Sequence, residues 1–508
     1  MIKINLKYII LGISLITVFN SCEDDDPIIE VQEPRPSLVA GEADFSTYVS
    51  LGNSLTAGFS DGALFIASQE NSLPNILSAQ FSLLNGQGFN QPLTNDNFGG
   101  LAVGGTRIVG PRLVTTGGAP QNLEDVIGPI TITTDLLQPP TGPFNNMGVP
   151  GAKIMDLTNE NFGNLGALGI GDGNPYFIRM ASSPNSTVLE DALAQQPTFF
   201  SLWIGNNDVL GYALAGGDEN EDEITDQSEF SLEYEELITS LTANGAKGVV
   251  ANIPDVTTIP HFTTVPWNAV PLDAATANAL NTGYAAYNGG LQQALVALEG
   301  TGLFTAEEVQ KRLINFSEGQ NAVVIIDENL TDLGAINPAF SGLLQLRQAT
   351  AEDLLVLPVS SILATGGGTA VPLEDRWVLT PEEQTEIANA TIAFNNVIES
   401  AASQAGLAFV DANGILEGIF NQTYTGFDMD DDDDDFDTSA SSSFTLTSDL
   451  VTGGAFSLDG VHPTSRGYAL LANEFLRAID KAYGTNFEAS GSFVNIGNYP
   501  TNYSPTLQ

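Results

Sequence analysis

Short apolar runs alternate with longer stretches of helical periodicity along much of this chain. Thr47-Tyr48-Val49-Ser50-Leu51 reads as a first strand ending at Gly52, and a helix is expected over 73–84. Asn146-Met147-Gly148-Val149 predicts a short second strand that runs into a turn at Pro150-Gly151. Thr198-Phe199-Phe200-Ser201-Leu202-Trp203-Ile204 is almost continuously apolar, the pattern of a parallel strand covered on both faces. Phe230, Tyr234, Leu237, Ile238 and Leu241 then share one helical face, Gly245 stands where a helix ends, and a strand over 247–253 follows. Thr380-Pro381-Glu382-Glu383 combines an N-cap, a first-turn proline and a capping-box glutamate. Ile387, Phe394, Val397 and Ile398 continue that helix, Gly406 closes it, and Leu407–Val410 is the next strand. Tyr468, Leu471, Phe475 and Ile479 mark a last helix.

Strands alternating with helices predict an α/β domain over 45–485, with a parallel sheet and helices on both faces. Two stretches interrupt the alternation. Residues 85–145 are rich in Gly, Asn, Pro and Thr, and residues 255–378 mix helical and strand signals; both read as large insertions that shape a lid and pocket. Residues 486–508 form a C-terminal tail. In sheets of this kind the site lies at the carboxyl ends of the strands, which puts the loops after Leu51, Val149, Ile204 and Ile253 on one rim.

The first residues add a destination. Lys3 and Lys7 precede an apolar run from Tyr8 to Phe19, a signal-peptide pattern too short to span a membrane comfortably. Asn20-Ser21-Cys22 follows, then Glu23-Asp24-Asp25-Asp26. A small residue and a cysteine after such a run resemble a bacterial lipobox, and the acidic tract resembles the surface-export signal of Bacteroidetes lipoproteins. The position three before the cysteine is Phe19, where leucine is usual. The resemblance implies a signal peptide over 1–21, lipid on Cys22, a membrane anchor, and residence on the outer membrane or cell surface. Residues 22–44, with Pro27, Pro34 and Pro36 among many acids, read as a tether. Cys22 is the one cysteine of 508 residues, so no intramolecular disulfide can form.

Charge narrows the partners. Sixty-two acidic residues face 15 basic ones, a formal net charge of −47, which repels phosphate backbones and excludes nucleic acid as a natural partner.

Four short motifs carry chemistry: Gly52-Asn53-Ser54-Leu55-Thr56, Gly148-Val149-Pro150-Gly151, Gly205-Asn206-Asn207-Asp208, and Asp459-Gly460-Val461-His462-Pro463. The first three follow expected strands, and the fourth precedes the last helix. A serine hydroxyl needs a base before it can attack a carbonyl. The chain has two histidines, His261 and His462, and only His462 has a carboxylate three residues earlier to fix its tautomer.

Taken in order, the four motifs resemble those of the SGNH (GDSL) hydrolases, over a span from Tyr48 to Ala482. The resemblance implies a flavodoxin-like fold and a serine ester hydrolase. It implies Ser54 as nucleophile, His462 as base and Asp459 as its partner. It implies an oxyanion hole from the Ser54 and Gly151 N–H groups and the Asn207 side chain, with no cofactor and no metal. The residue before the serine, usually aspartate, is Asn53 here. The family spans lipases and carbohydrate O-acetyl esterases, so the resemblance implies as substrate an ester in a lipid or an acetylated glycan. A non-catalytic surface-binding lipoprotein on the same fold is the alternative, and the intact set of Ser54, Asn207, Asp459 and His462 speaks against it.

Two further features read as structural. His261, just past a strand end, is expected to be packed or on the surface, with a place on the pocket wall as the alternative. Asp430–Asp435, six aspartates in a row, lacks the spaced ligands and glycine of an EF-hand loop and reads as a solvated, self-repelling loop, leaving Ca²⁺ open.

Overall fold

The structure, a computed structural model, describes residues 35–421 and 446–507. The signal segment 1–21, the anchor residue Cys22, the tether as far as residue 34, and Asp430–Asp435 lie outside the described residues.

The principal elements follow the expected alternation. They are β1 (Tyr48–Gly52), α1 (Ser54–Ala57), α2 (Leu73–Phe81), β2 (Asn146–Gly148), α3 (Val188–Leu193), β3 (Phe199–Trp203), α4 (Asn207–Leu214), α5 (Gln227–Thr242), β4 (Lys247–Ala251), α6 (Ala274–Ala297), α7 (Pro381–Ala405), β5 (Ala408–Val410), α8 (Ala412–Phe420) and α9 (Ser465–Tyr483). The β strands form one parallel sheet of five in the order β5-β4-β3-β1-β2. This is an α/β architecture, and β1 lies inside it with β2 and β3 as neighbours.

The period of two along each strand sorts side chains into two cores. Val49, Leu51, Phe200, Leu202 and Val250 point to one face, under α3, α5 and α7, where the Phe230 and Phe394 rings stack at 4.0 Å. Tyr48, Phe199, Trp203, Val249 and Ala251 point to the other, under α2 and α9. Both faces are therefore covered, as the apolar run 198–204 required.

Residues 85–145 are loop with two short hairpins and a five-residue helix. Residues 255–378 hold more order than the mixed pattern suggested: α6 runs for 24 residues, small antiparallel pairs form at 270–272 with 319–321 and at 324–326 with 346–348, and Arg347 is buried between Asp327 and Asp353. The tail is packed as well. Phe487, Val494 and Ile496 are buried with α9, and the Asn473 amide donates to the Val494 carbonyl at 2.9 Å. At the other end, the Glu42 N–H donates to the Tyr483 carbonyl at 2.8 Å, and Ala43 is buried, so the tether joins the domain before residue 45. Among the described residues no helix is long and apolar enough to cross a membrane.

Candidate active site

Ser54 sits at the first position of α1, directly beyond the carboxyl end of β1. Asn53 caps this helix: its side-chain oxygen accepts the Leu55 N–H at 3.0 Å. Its amide nitrogen donates to the Asn206 side-chain oxygen at 3.1 Å. An ionised aspartate could serve the first bond but could not donate the second. Asparagine at this position thus ties the serine turn to the turn before α4. Close approach fixes the neighbouring glycine: a Cβ on Gly148 would lie 2.3 Å from the Ala57 nitrogen, so α1 rests directly on β2.

The loop before α9 meets this turn across more than four hundred residues. The His462 Nε2 lies 2.8 Å from the Ser54 Oγ, and its Nδ1 lies 2.9 Å from the Asp459 Oδ2. The Phe59 ring backs the imidazole at 4.6 Å between centroids. Asp459 Oδ1 accepts the Val461 and His462 N–H groups, both at 2.9 Å, and the Ser457 hydroxyl at 3.1 Å. Its Oδ2 also accepts the Gly62 N–H at 2.8 Å. Burial alone would raise this carboxyl. The adjoining imidazole and the donated N–H groups outweigh burial and hold it well below the usual carboxylate range.

Sequence reasoning missed the strap that holds this loop. Asp61 has a left-handed φ of 52° and accepts the Leu458 N–H at 3.0 Å, while its own N–H donates to the Ser457 hydroxyl at 3.0 Å. Burial pushes the Asp61 carboxyl up to about 7. The Asp61-Gly62 pair is a turn signature that could have marked it.

The second and third motifs are also drawn together. The Asn207 side chain, at the start of α4, donates to the Ala152 carbonyl at 2.8 Å. Asp208, fully buried, accepts the Ile154 N–H at 3.1 Å and the Thr225 hydroxyl at 2.7 Å. Burial pushes this carboxyl up to about 7 against those bonds. Together they hold the Gly151 turn, with its φ of 84°, against the α4 N-terminus.

His261 packs against the loop that carries His462 and does not line the cleft: its backbone N–H donates to the Gly460 carbonyl at 2.9 Å. Burial lowers its imidazole to about 4, although Asp459 nearby opposes that shift.

Ser54, Asn207 and His462 lie on the wall of an apolar cleft of about 810 Å³, open mouth included. Leu55, Leu210, Ile415, Leu416, Leu470 and Leu471 supply much of its surface. The expected lid is not where the insertions are. No residue of 85–145 lines the cleft, and of 255–378 only Val256 and Ile259 do. Helices α8 and α9 form its walls because their apolar stripes turn toward the serine. Comparison with protein-family models, curated proteins and solved structures finds no match to this chain.

Proposed function

We propose that the chain is a serine ester hydrolase of the SGNH (GDSL) type, acting on esters with an aliphatic acyl chain. One observation carries the reading: the unbroken run of hydrogen bonds from the Ser54 Oγ through His462 to Asp459, at 2.8 and 2.9 Å, on the wall of an apolar cleft. The strand order, read 2-1-3-4-5, is that of the flavodoxin-like doubly wound class and supports the same assignment.

In the proposed reaction the His462 Nε2 takes the hydroxyl proton as the Ser54 Oγ attacks the ester carbonyl. Asp459 holds the proton on Nδ1 and stabilises the imidazolium. The Ser54 and Gly151 N–H groups and the Asn207 amide receive the oxyanion; each such donor is worth ~10²–10³ in kcat. The alcohol leaves with the proton from His462. Water, deprotonated by the same ring, then attacks the acyl-serine and releases the carboxylic acid. The resemblance of residues 1–26 to a lipoprotein leader with a lipobox at Cys22 supports an envelope location, with lipid as the anchor.

The test compares the chain lacking residues 1–22 with its Ser54→Ala variant on p-nitrophenyl acetate and octanoate. We expect the variant to lose the activity by on the order of 10⁴-fold or more. Equal turnover by both proteins would remove Ser54 from the mechanism. Octanoate should be the better substrate, because each methylene buried in the cleft adds ~0.8 kcal/mol, about fourfold in kcat/KM. A preference for acetate would point to a glycan deacetylase instead.

A further inference from the structure

A second cluster of chemistry lies away from the serine, where the 255–378 insertion meets the core. Glu328, Asp375 and Glu383 each offer a carboxylate oxygen, and the three oxygens lie within 4.8 Å of one another. They come from three segments. Glu328 follows the strand Val324–Ile326, Asp375 opens a short turn, and Glu383 lies in the first turn of α7.

Glu383 is the informative member. It is 3 % exposed, and its Oε2 accepts the Thr380 N–H at 2.6 Å, but its Oε1 is buried with no hydrogen-bond partner. The Asp375 Oδ1 is likewise buried and unpartnered. The backbone closes over this carboxylate from the α4 side: a Cβ on Gly217 would stand 2.3 Å from the Glu383 Cδ.

Nearby bases are engaged elsewhere. Arg376 pairs with Glu374 at 2.8 Å and lies over the Trp377 ring, and Lys311 reaches Glu382 at 3.9 Å. The other charged neighbours, Asp218, Glu219, Asp327 and Glu386, are all acidic. Asp327 is bound by Arg347 and Glu386 by the Tyr212 hydroxyl, so neither relieves the cluster.

An unpaired carboxylate oxygen in a protein interior is expensive, and several side by side repel one another. A proton or a cation can relieve them. Burial first, then the surrounding acids, push Asp375 up to about 7 and Glu383 to about 8.

We propose that Glu328, Asp375 and Glu383 bind a calcium ion that clamps the insertion onto α7. The donors are all hard oxygens, which suits Ca²⁺ and disfavours zinc or copper. Their unequal burial leaves the Glu328 side open, so water can complete the six to eight ligands that Ca²⁺ accepts more readily than Mg²⁺.

The test uses the full-length chain in detergent, stripped with EGTA and returned to physiological salt at neutral pH. Bound metal is measured by atomic emission, and Tm by calorimetry, with CaCl₂ or MgCl₂ added. The expected result is one Ca²⁺ per chain and a Tm rise of about 2–5 °C. Asp375→Asn should lose the bound ion and the rise, yet melt above the wild type in EGTA, because one repelling charge is gone. Glu328→Gln, at the exposed edge, keeps the test usable if the buried variant fails to fold. Serines in place of Asp430–Asp435 should leave the response intact. The proposal falls if the wild type binds no Ca²⁺, if Asp375→Asn responds like the wild type, or if the serine replacement abolishes the response. An equal rise with Mg²⁺ would overturn the choice of calcium.

Discussion

Asp459 receives five hydrogen bonds, from the Ser457 hydroxyl, three backbone N–H groups and the His462 ring. Only an ionised carboxylate accepts from all of them, so the side chain is specified by its surroundings as much as by its role. Asp459→Asn must turn an NH₂ group toward at least one donor, and it frees the imidazole to take the wrong tautomer. Octanoate hydrolysis should fall by ~10⁴-fold in kcat, with far-UV circular dichroism unchanged. An effect below tenfold would mean that Asp459 does not orient His462. The carboxyl is held below its unfolded range, so its stabilisation is present above the unfolded value of about 4 and is lost as pH falls below that. Thermal unfolding from pH 5 downward should therefore show a loss of Tm in the wild type that is smaller in Asp459→Asn.

The two histidines can also be separated at this scale. His261, lowered to about 4 by burial, stays neutral throughout the pH range in which an ester hydrolase is assayed. The ring that touches Ser54 is His462, the base of the proposed mechanism. His261→Gln should keep the acid limb where the wild type has it, as read from kcat/KM between pH 5 and 8. An acid limb that disappears in this variant would assign the base to the wrong ring.

Among the elements, α8 connects sequence pattern to specificity. Ile415, Leu416 and Ile419 turn one stripe of a short helix toward the cleft beside Ser54. In the proposed reaction, Ile415→Ala removes cleft-lining methylenes expected to meet a long acyl chain but not an acetyl group. Octanoate should lose ~10-fold in kcat/KM and acetate much less. An equal loss on both would show that the acyl chain lies elsewhere.

The parts legible in the sequence are those with strong local signals. The apolar run 198–204, the capping box at 380–383 and the stripe of α9 each became the expected element within a residue or two at most ends. That Ser54, His462 and Asp459 meet was expected from the resemblance of the four motifs, and His462 stood out besides as the one of two histidines with a carboxylate three residues earlier. What escaped depends on distant partners. Phe487 and Val494 look like tail residues until α9 lies beside them. α6 is rich in Ala, Asn and Gly, with little apolar contrast between its faces, so its length is invisible to periodicity. The lid was expected in the insertions because they are long, but the apolar cleft is walled by α9, whose stripe reads as core, and by α8, a nine-residue helix too short to stand out in the sequence pattern.

At the scale of the whole molecule, 47 uncompensated negative charges repel one another in every folded conformation. Two different agents relieve this repulsion, and they are distinguishable. Salt acts everywhere: raising ionic strength from 0.01 to 0.15 M shortens the Debye length from about 30 to about 8 Å, and Tm should rise by several degrees in any variant that keeps the surface. Calcium in the cluster acts at one place, at concentrations too low to change the screening. Glu328→Gln and Asp375→Asn should therefore keep the NaCl response and lose only the CaCl₂ response measured on top of it. If both salts raise Tm in parallel, scaled only by ionic strength, calcium is a member of the ion atmosphere and the three carboxylates are relieved by protons. If the calcium increment persists at saturating NaCl and vanishes with one carboxylate, the charge of the molecule is partly neutralised from inside, at the seam where the 255–378 insertion meets α7.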